Sequence, residues 1–187
     1  MKCLDSMITI RTVEETLQST FLEQKIFSFL HLMLGQEASP VGVSAALETK
    51  DLMMGNHRSH GHYLAKGGSL ERMIKEILGD LEGCCSGYGG SMHMIDRSVG
   101  FEGSTPILGS VSGLIWGIGF KLKMENNNNV AVCCLGYGAA EEGLFYESVN
   151  LACSKKLPVI FIIEDNKYAV NTRHSDRKSK DYDFQSV

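Results

Sequence analysis

Residues 56–63 read NHRSHGHY, one arginine among three histidines. An arginine held in a loop suits a phosphate, because its planar fork bonds two oxygens at once. The spacing of His57, His60 and His62 could instead serve a metal, although thiolates and carboxylates are lacking nearby. A solvated polar loop is the plain alternative. A second candidate is the pair of segments GYG (136–138) and EDN (164–166), each closing an apolar run. Hard cations want oxygen ligands, which Glu164, Asp165, Asn166 and backbone carbonyls can supply. Ordinary loop caps would have the same composition. The third candidate is His31 in FSFLHLML. A lone histidine among apolar residues is more often a satisfied core group than a catalyst.

The elements that must position these residues follow from periodicity. Residues 9–23 place Val13, Leu17 and Phe21 on one side of an amphipathic helix. ASPVGVSAALET reads as a second helix whose small residues suit close packing. The stretch MMGNHRSHGHYLAKGGS has little apolar content and reads as loop. Ser69 is a plausible N-cap, and Leu70, Met73, Ile74, Ile77 and Leu78 then form a core-facing stripe. Residues 83–105 are irregular and glycine-rich, a kind of long loop that is usually functional. SVSGLIWGIGFKLK is apolar on nearly every side and reads as a buried helix; ENNNN is a solvated turn. VAVCCLG and LPVIFIIED read as buried strands flanking a helix over 142–154. Strand, helix and strand in that order, with continuously apolar strands, predict an α/β fold with a parallel sheet covered on both faces. Ligands in such sheets bind beyond the carboxyl ends of the strands. Both GYG and EDN fall there.

Composition narrows the function classes. With 187 residues the chain can bury the core of one domain, and its 43% hydrophobic and 21% charged content is ordinary for a globular protein. A formal charge of -4 argues against a nucleic-acid surface. No apolar run is long enough to predict a membrane span, and the N-terminal segment turns acidic too early for a signal peptide. Six cysteines without C-x-x-C spacing read as reduced packing residues of a cytoplasmic protein. Twenty glycines against three prolines suggest close backbone approach between Gly55 and Gly143.

Five segments in register, FLHLMLGQEASPVGVSAAL, NHRSHGHYLAKGG, GGSMHMID, GSTPILGS and GYGAAEEGLFYESVNLACSKKLPVIFIIEDNKYAV, resemble the α subunit of thiamine-diphosphate-dependent 2-oxo acid dehydrogenases. Pyruvate, branched-chain and acetoin dehydrogenases belong to that family. The resemblance implies the thiamine-diphosphate-binding fold as a single domain over residues 1–187, short at its C-terminus relative to the family. It implies thiamine diphosphate with Mg²⁺, a β subunit that completes an α₂β₂ assembly, a lipoyl acyltransferase as a further partner, and a small 2-oxo acid substrate. Decarboxylation would be followed by transfer of the acyl unit to lipoyl or another acceptor.

Residue by residue, Asn166 matches the family's metal asparagine, and Tyr168 would offer its carbonyl to the metal. Gly138 and Ala139 match positions whose amides face the diphosphate. Arg58 matches the diphosphate arginine, and His57 stands where many members have tyrosine. Leu108 and Pro106 match the segment that touches the aminopyrimidine. His31 matches an active-site histidine, and His60 a histidine of the loop closing over the cofactor. The roles of Ser91 and His93 stay open. The sequence departs from the pattern at the metal: Tyr137 occupies the aspartate position, and Asp165 replaces the first asparagine. Two other readings follow, a cofactor-impaired scaffolding homologue and an acyloin-forming or aldehyde-transferring enzyme.

Overall fold

The computed structural model describes residues 2–26 and 28–177. The chain opens with α1 (Lys2–Leu22) and α2 (Ala38–Ala45), joined by an extended segment that carries His31. The sheet then forms from β1 (Leu52–Gly55), β2 (Phe101–Ser104), β3 (Ala131–Gly136) and β4 (Val159–Glu164), with α3 (His60–Ala65), α4 (Leu70–Ile77), α5 (Ser110–Glu125) and α6 (Gly143–Ser154) between them. A short hairpin, β5 (Tyr168–Ala169) with β6 (Thr172–Arg173), leads into α7 (His174–Arg177).

Side-chain alternation along β3 divides the core in two. Ala131, Cys133 and Leu135 pack with Val111, Ile115 and Leu122 of α5 and Phe145 of α6. Val132 and Cys134 face the opposite way, toward Leu17 of α1, Tyr63 of α3 and Met73 and Ile77 of α4. The parallel sheet is therefore covered on both faces. Its order is β2-β1-β3-β4. The chain leaves β1 toward β2 on one side, and leaves β3 toward β4 on the other. Diverging connections make the carboxyl ends of β1 and β3 the topological switch point, where such sheets form the crevice that binds ligands.

Several expectations need correction. The stretch taken for loop contains β1 and α3, because Met53 and Met54 are core residues and α3 buries His60, His62 and Tyr63 instead of apolar side chains. Likewise the glycine-rich 83–105 segment contains β2. On α1 the buried face is Ile10, Glu14 and Leu17, while Phe21 is exposed. His31 is exposed rather than a core group. The helix α5 is not buried all round, since Leu114 and Met124 are exposed. β4 is the sheet edge among the described residues and only partly buried, with Ile160 exposed. Cys3 and Cys153 are exposed and so do not pack, though all six thiols are free. Ser69 does cap α4, its hydroxyl accepting from the Arg72 N–H at 3.3 Å.

Candidate functional site

The turn after β1 is built for close approach. A Cβ at Gly55 would lie 2.1 Å from the Ser59 hydroxyl, so only glycine lets the chain fold back there. The Asn56 side-chain carbonyl accepts from the Arg58 N–H at 2.7 Å, fixing the turn. Arg58 is half-buried and donates to the Leu32 carbonyl. Burial lowers its guanidinium from the usual value, and Glu14 opposes that shift. The His57 ring meets His31 edge-on, centroids 4.8 Å apart. Its Nδ1 is buried without a hydrogen-bond partner among the described residues. Burial first, then the Arg58 charge, pushes the His57 pKa down to about 4, leaving the ring neutral at pH 7. Partial burial and Arg58 also lower His31.

Behind this turn, α3 points two fully buried histidines inward. His60 Nδ1 lies 2.7 Å from a Glu14 carboxylate oxygen, and its Nε2 lies 2.7 Å from the Ser91 hydroxyl. The other Glu14 oxygen accepts from the Met33 N–H at 3.0 Å. One carboxylate thus ties α1, α3 and the segment after His31 together. His62 Nε2 sits 3.0 Å from Glu164 at the end of β4. Burial would raise the carboxyl and lower the imidazole, yet their mutual attraction prevails. Glu164 is held down to about 2, helped by bonds from Ser39 and Asn56, while His62 is raised, helped by Cys134. His57 lies against His31, His60 is bonded to Glu14 and Ser91, and His62 to Glu164, and the three form no ligand cluster among the described residues, so the metal reading of their spacing fails.

The turns after β3 and β4 are arranged differently. The Tyr137 N–H donates to the Glu164 carbonyl at 3.0 Å, which seats GYG over the end of β4. The Tyr137 ring is buried, with only 4% of its surface exposed. Its hydroxyl is 2.6 Å from His174 Nε2, and the two ring centroids are 4.3 Å apart. A Cβ at Gly138 would lie 2.9 Å from the Ala169 Cβ, so the segment after β4 rests against this glycine. Ala139 begins a 3-10 turn over Ala139–Glu141. Asp165 accepts from the Lys167 N–H at 2.8 Å and from its ammonium at 2.6 Å, and despite partial burial these bonds lower its pKa. The Asn166 side-chain oxygen accepts from the Tyr168 N–H at 3.1 Å, and Tyr168 is exposed. Pro106 and the exposed Leu108 follow β2 at the same end of the sheet.

Sequence reasoning missed Glu14, Glu76 and His174, and left the role of Ser91 open. Glu14 and Glu76 are carboxylates set inside apolar helical stripes, which was a readable anomaly. Glu76 accepts from the N–H groups of Cys85, Gly87, Gly89 and Gly90 at 2.6–3.1 Å, so it organises the glycine-rich loop. It also forms, with Cys84 and Cys85, the only potential metal-ligand cluster of His, Cys, Asp and Glu among the described residues, but its oxygens are already occupied. Ser91, noted in GGSMH without a role, proves to be the partner of His60, which its local sequence did not indicate. His174 carried no signal of its own and lies far from Tyr137 in sequence.

The profile of the dehydrogenase E1 component matches residues 5–186. The chain belongs to this family. Among its relatives, the α subunit of acetoin:2,6-dichlorophenolindophenol oxidoreductase from Cupriavidus necator is 43% identical across 94% of this chain and 51% of that protein. Its counterpart from Bacillus subtilis is 40% identical, over 89% of this chain and 50% of its own. The pyruvate dehydrogenase E1 component α subunit of Rhizobium meliloti is 40% identical over 98% and 53%. The chain thus spans about half the length of these curated relatives. As an E1-component chain it has the parallel α/β sheet expected of it. No helix of the described residues is long and apolar enough to cross a membrane.

Proposed function

We propose that this chain is the α component of a two-subunit thiamine-diphosphate enzyme that decarboxylates a 2-oxo acid, or cleaves a related acyl donor such as acetoin, and passes the acyl or aldehyde unit to an acceptor. The observation that carries this reading is the turn after β1. There a half-buried Arg58 and the unpartnered, buried Nδ1 of His57 sit beside the crevice that the sheet topology opens. An anionic ligand fits these groups, because a guanidinium takes two oxygens and an orphaned polar atom gains a partner.

Arg58 and the amides of Gly138 and Ala139 would hold the diphosphate, with His57 beside them. Pro106 and Leu108 would line the aminopyrimidine end. Thiamine diphosphate supplies an electron sink for decarboxylation when bound. His31, exposed and edge-on to a neutral His57, is placed to meet a substrate carboxylate. His60, bonded at both nitrogens, holds α3 and therefore Arg58 in position. A β subunit would complete an α₂β₂ assembly, with a lipoyl acyltransferase as a further partner. The cation does not fit as well as the diphosphate does. Tyr137 lacks the charge a hard cation needs, and Asp165 is already paired with Lys167.

Tyr137 also supports a second reading, a cofactor-impaired subunit that keeps only the fold and the β-subunit interface. Calorimetric titration of thiamine diphosphate into the chain paired with its β subunit separates the two. Micromolar binding, with reduction of 2,6-dichlorophenolindophenol by acetoin or pyruvate, is the expected result. Absence of binding heat would overturn the enzyme reading.

A further inference from the structure

We infer that this chain takes no divalent cation at the ends of β3 and β4: the buried Tyr137 ring, bonded through its hydroxyl to His174, fills that position. Any diphosphate held in the crevice is then neutralised by Arg58 and by turn N–H groups. The inference rests on reading the crevice as a diphosphate site.

A hard cation needs several oxygen ligands at short range, usually including a carboxylate that is free to coordinate. The two acids that close β4, Glu164 and Asp165, have instead found a cation inside the protein. Glu164 is bonded to His62 at 3.0 Å, to Ser39 at 2.7 Å and to Asn56 at 3.1 Å. Asp165 is bonded twice to Lys167, whose ammonium lies 2.6 Å away. The side-chain oxygen of Asn166 is neutral and accepts the Tyr168 N–H at 3.1 Å. At Tyr137 a phenol replaces the short anionic side chain, and it is neither exposed nor idle. Its hydroxyl meets His174 at 2.6 Å and its ring lies against the imidazole. A ring reaches farther than a carboxylate, so it also takes the volume an ion and its waters would need. The hairpin of β5 and β6 brings His174 back to this point, with the His174 N–H donating to the Lys167 carbonyl at 2.9 Å. The pair is therefore anchored from two separate elements.

Manganese provides the probe. The full chain with its β subunit is titrated with Mn²⁺, with and without thiamine diphosphate, and bound ion is read from its electron paramagnetic resonance. The wild type is expected to bind no Mn²⁺ tighter than about 1 mM, and its thiamine-diphosphate affinity in EDTA should lie within about threefold of that in Mg²⁺. Tyr137→Asp should tighten Mn²⁺ binding by about 10- to 100-fold, and adding Asn166→Ala should abolish the gain. A stoichiometric Mn²⁺ in the wild type that Asn166→Ala removes would overturn the inference. So would a folded Tyr137→Asp protein, checked by circular dichroism, that still binds none. If Tyr137→Asp does not fold, His174→Ala and the wild-type titration decide alone: Mn²⁺ bound by the wild type overturns, and none bound by either supports. Thiamine diphosphate failing to bind under every condition breaks the proposed function, while the Mn²⁺ result still judges this assignment.

Discussion

The turn after β1 and the turns after β3 and β4 lie at one edge of one sheet, yet they treat their polar groups in opposite ways. On the β1 side the interior is wired tightly, with Glu14, His60 and Ser91 bonded in a line beneath the surface. Above it Arg58 is half-buried, the buried Nδ1 of His57 has no hydrogen-bond partner among the described residues, and His31 is exposed. On the β3 and β4 side the groups near the surface are paired with each other, Tyr137 with His174 and Asp165 with Lys167. A site keeps its function where its supporting contacts are internal and its outward groups are not. On the proposed reading, the β1 side would be the anion-binding half and the β3 and β4 side the half closed to a cation.

The largest expected effect comes from breaking the wiring under the β1 turn. Glu14→Ala leaves the His60 Nδ1 and the Met33 N–H unpartnered inside the protein, and removal of one member of such a buried set costs about 3–5 kcal/mol. Asp165→Asn, which breaks an exposed pair on the other side, should cost less than about 1 kcal/mol. Urea denaturation of the two variants checks the contrast; equal losses would show that the two sides are not built differently.

Next in size is ligand affinity. Arg58→Ala should weaken thiamine-diphosphate binding by about 10- to 100-fold, since one charge-assisted contact is worth roughly 1.5–3 kcal/mol. Asn166→Ala should change it by no more than about threefold if the cation half is closed. Calorimetry on both proteins sharpens the comparison, and a reversed order would reopen the cation half. Smaller again is Glu76→Gln, which keeps an acceptor but replaces a charge that four backbone N–H groups share. A loss of about 1–2 kcal/mol and faster proteolysis within residues 83–90 are expected.

How much of this was legible in sequence varies with the kind of force involved. The central strand β3 was plain, because every residue from Ala131 to Leu135 is buried and apolar. Arg58 and the two strand-end segments were found by residue type and spacing. β1 and α3 were not, since α3 pairs its buried histidines with carboxylates on distant elements, Glu14 on α1 and Glu164 on β4. Polar residues that become core through long-range partners look like loop until those partners are placed. The same reason hid His174: nothing local marks a four-residue helix as the lid on Tyr137. Tyr137 itself stood out only against the family's pattern, and the structure supplied its partner.

The smallest effect concerns pH. His57 has a folded pKa of about 4 against 6.5 for an unperturbed imidazole, because burial and the neighbouring Arg58 charge disfavour its protonated form. Between those two values the unfolded chain binds more protons than the folded one, so stability must rise with pH across that window. Read downward, stability is lost as pH falls from 6.5 toward 4 and levels off below. After allowance for solvent screening of a partly exposed ring, the loss amounts to roughly 1 kcal/mol. Glu37, held at about 2 by its bond from Arg11, acts in a separate window below 4.5. Imidazole proton resonances followed against pH should place the His57 midpoint near 4. His57→Gln should flatten the upper window and leave the Glu37 window untouched. A midpoint near the unperturbed value would mean that the ring is solvated, and the β1 turn would then lose the orphaned nitrogen that marks it as the open half.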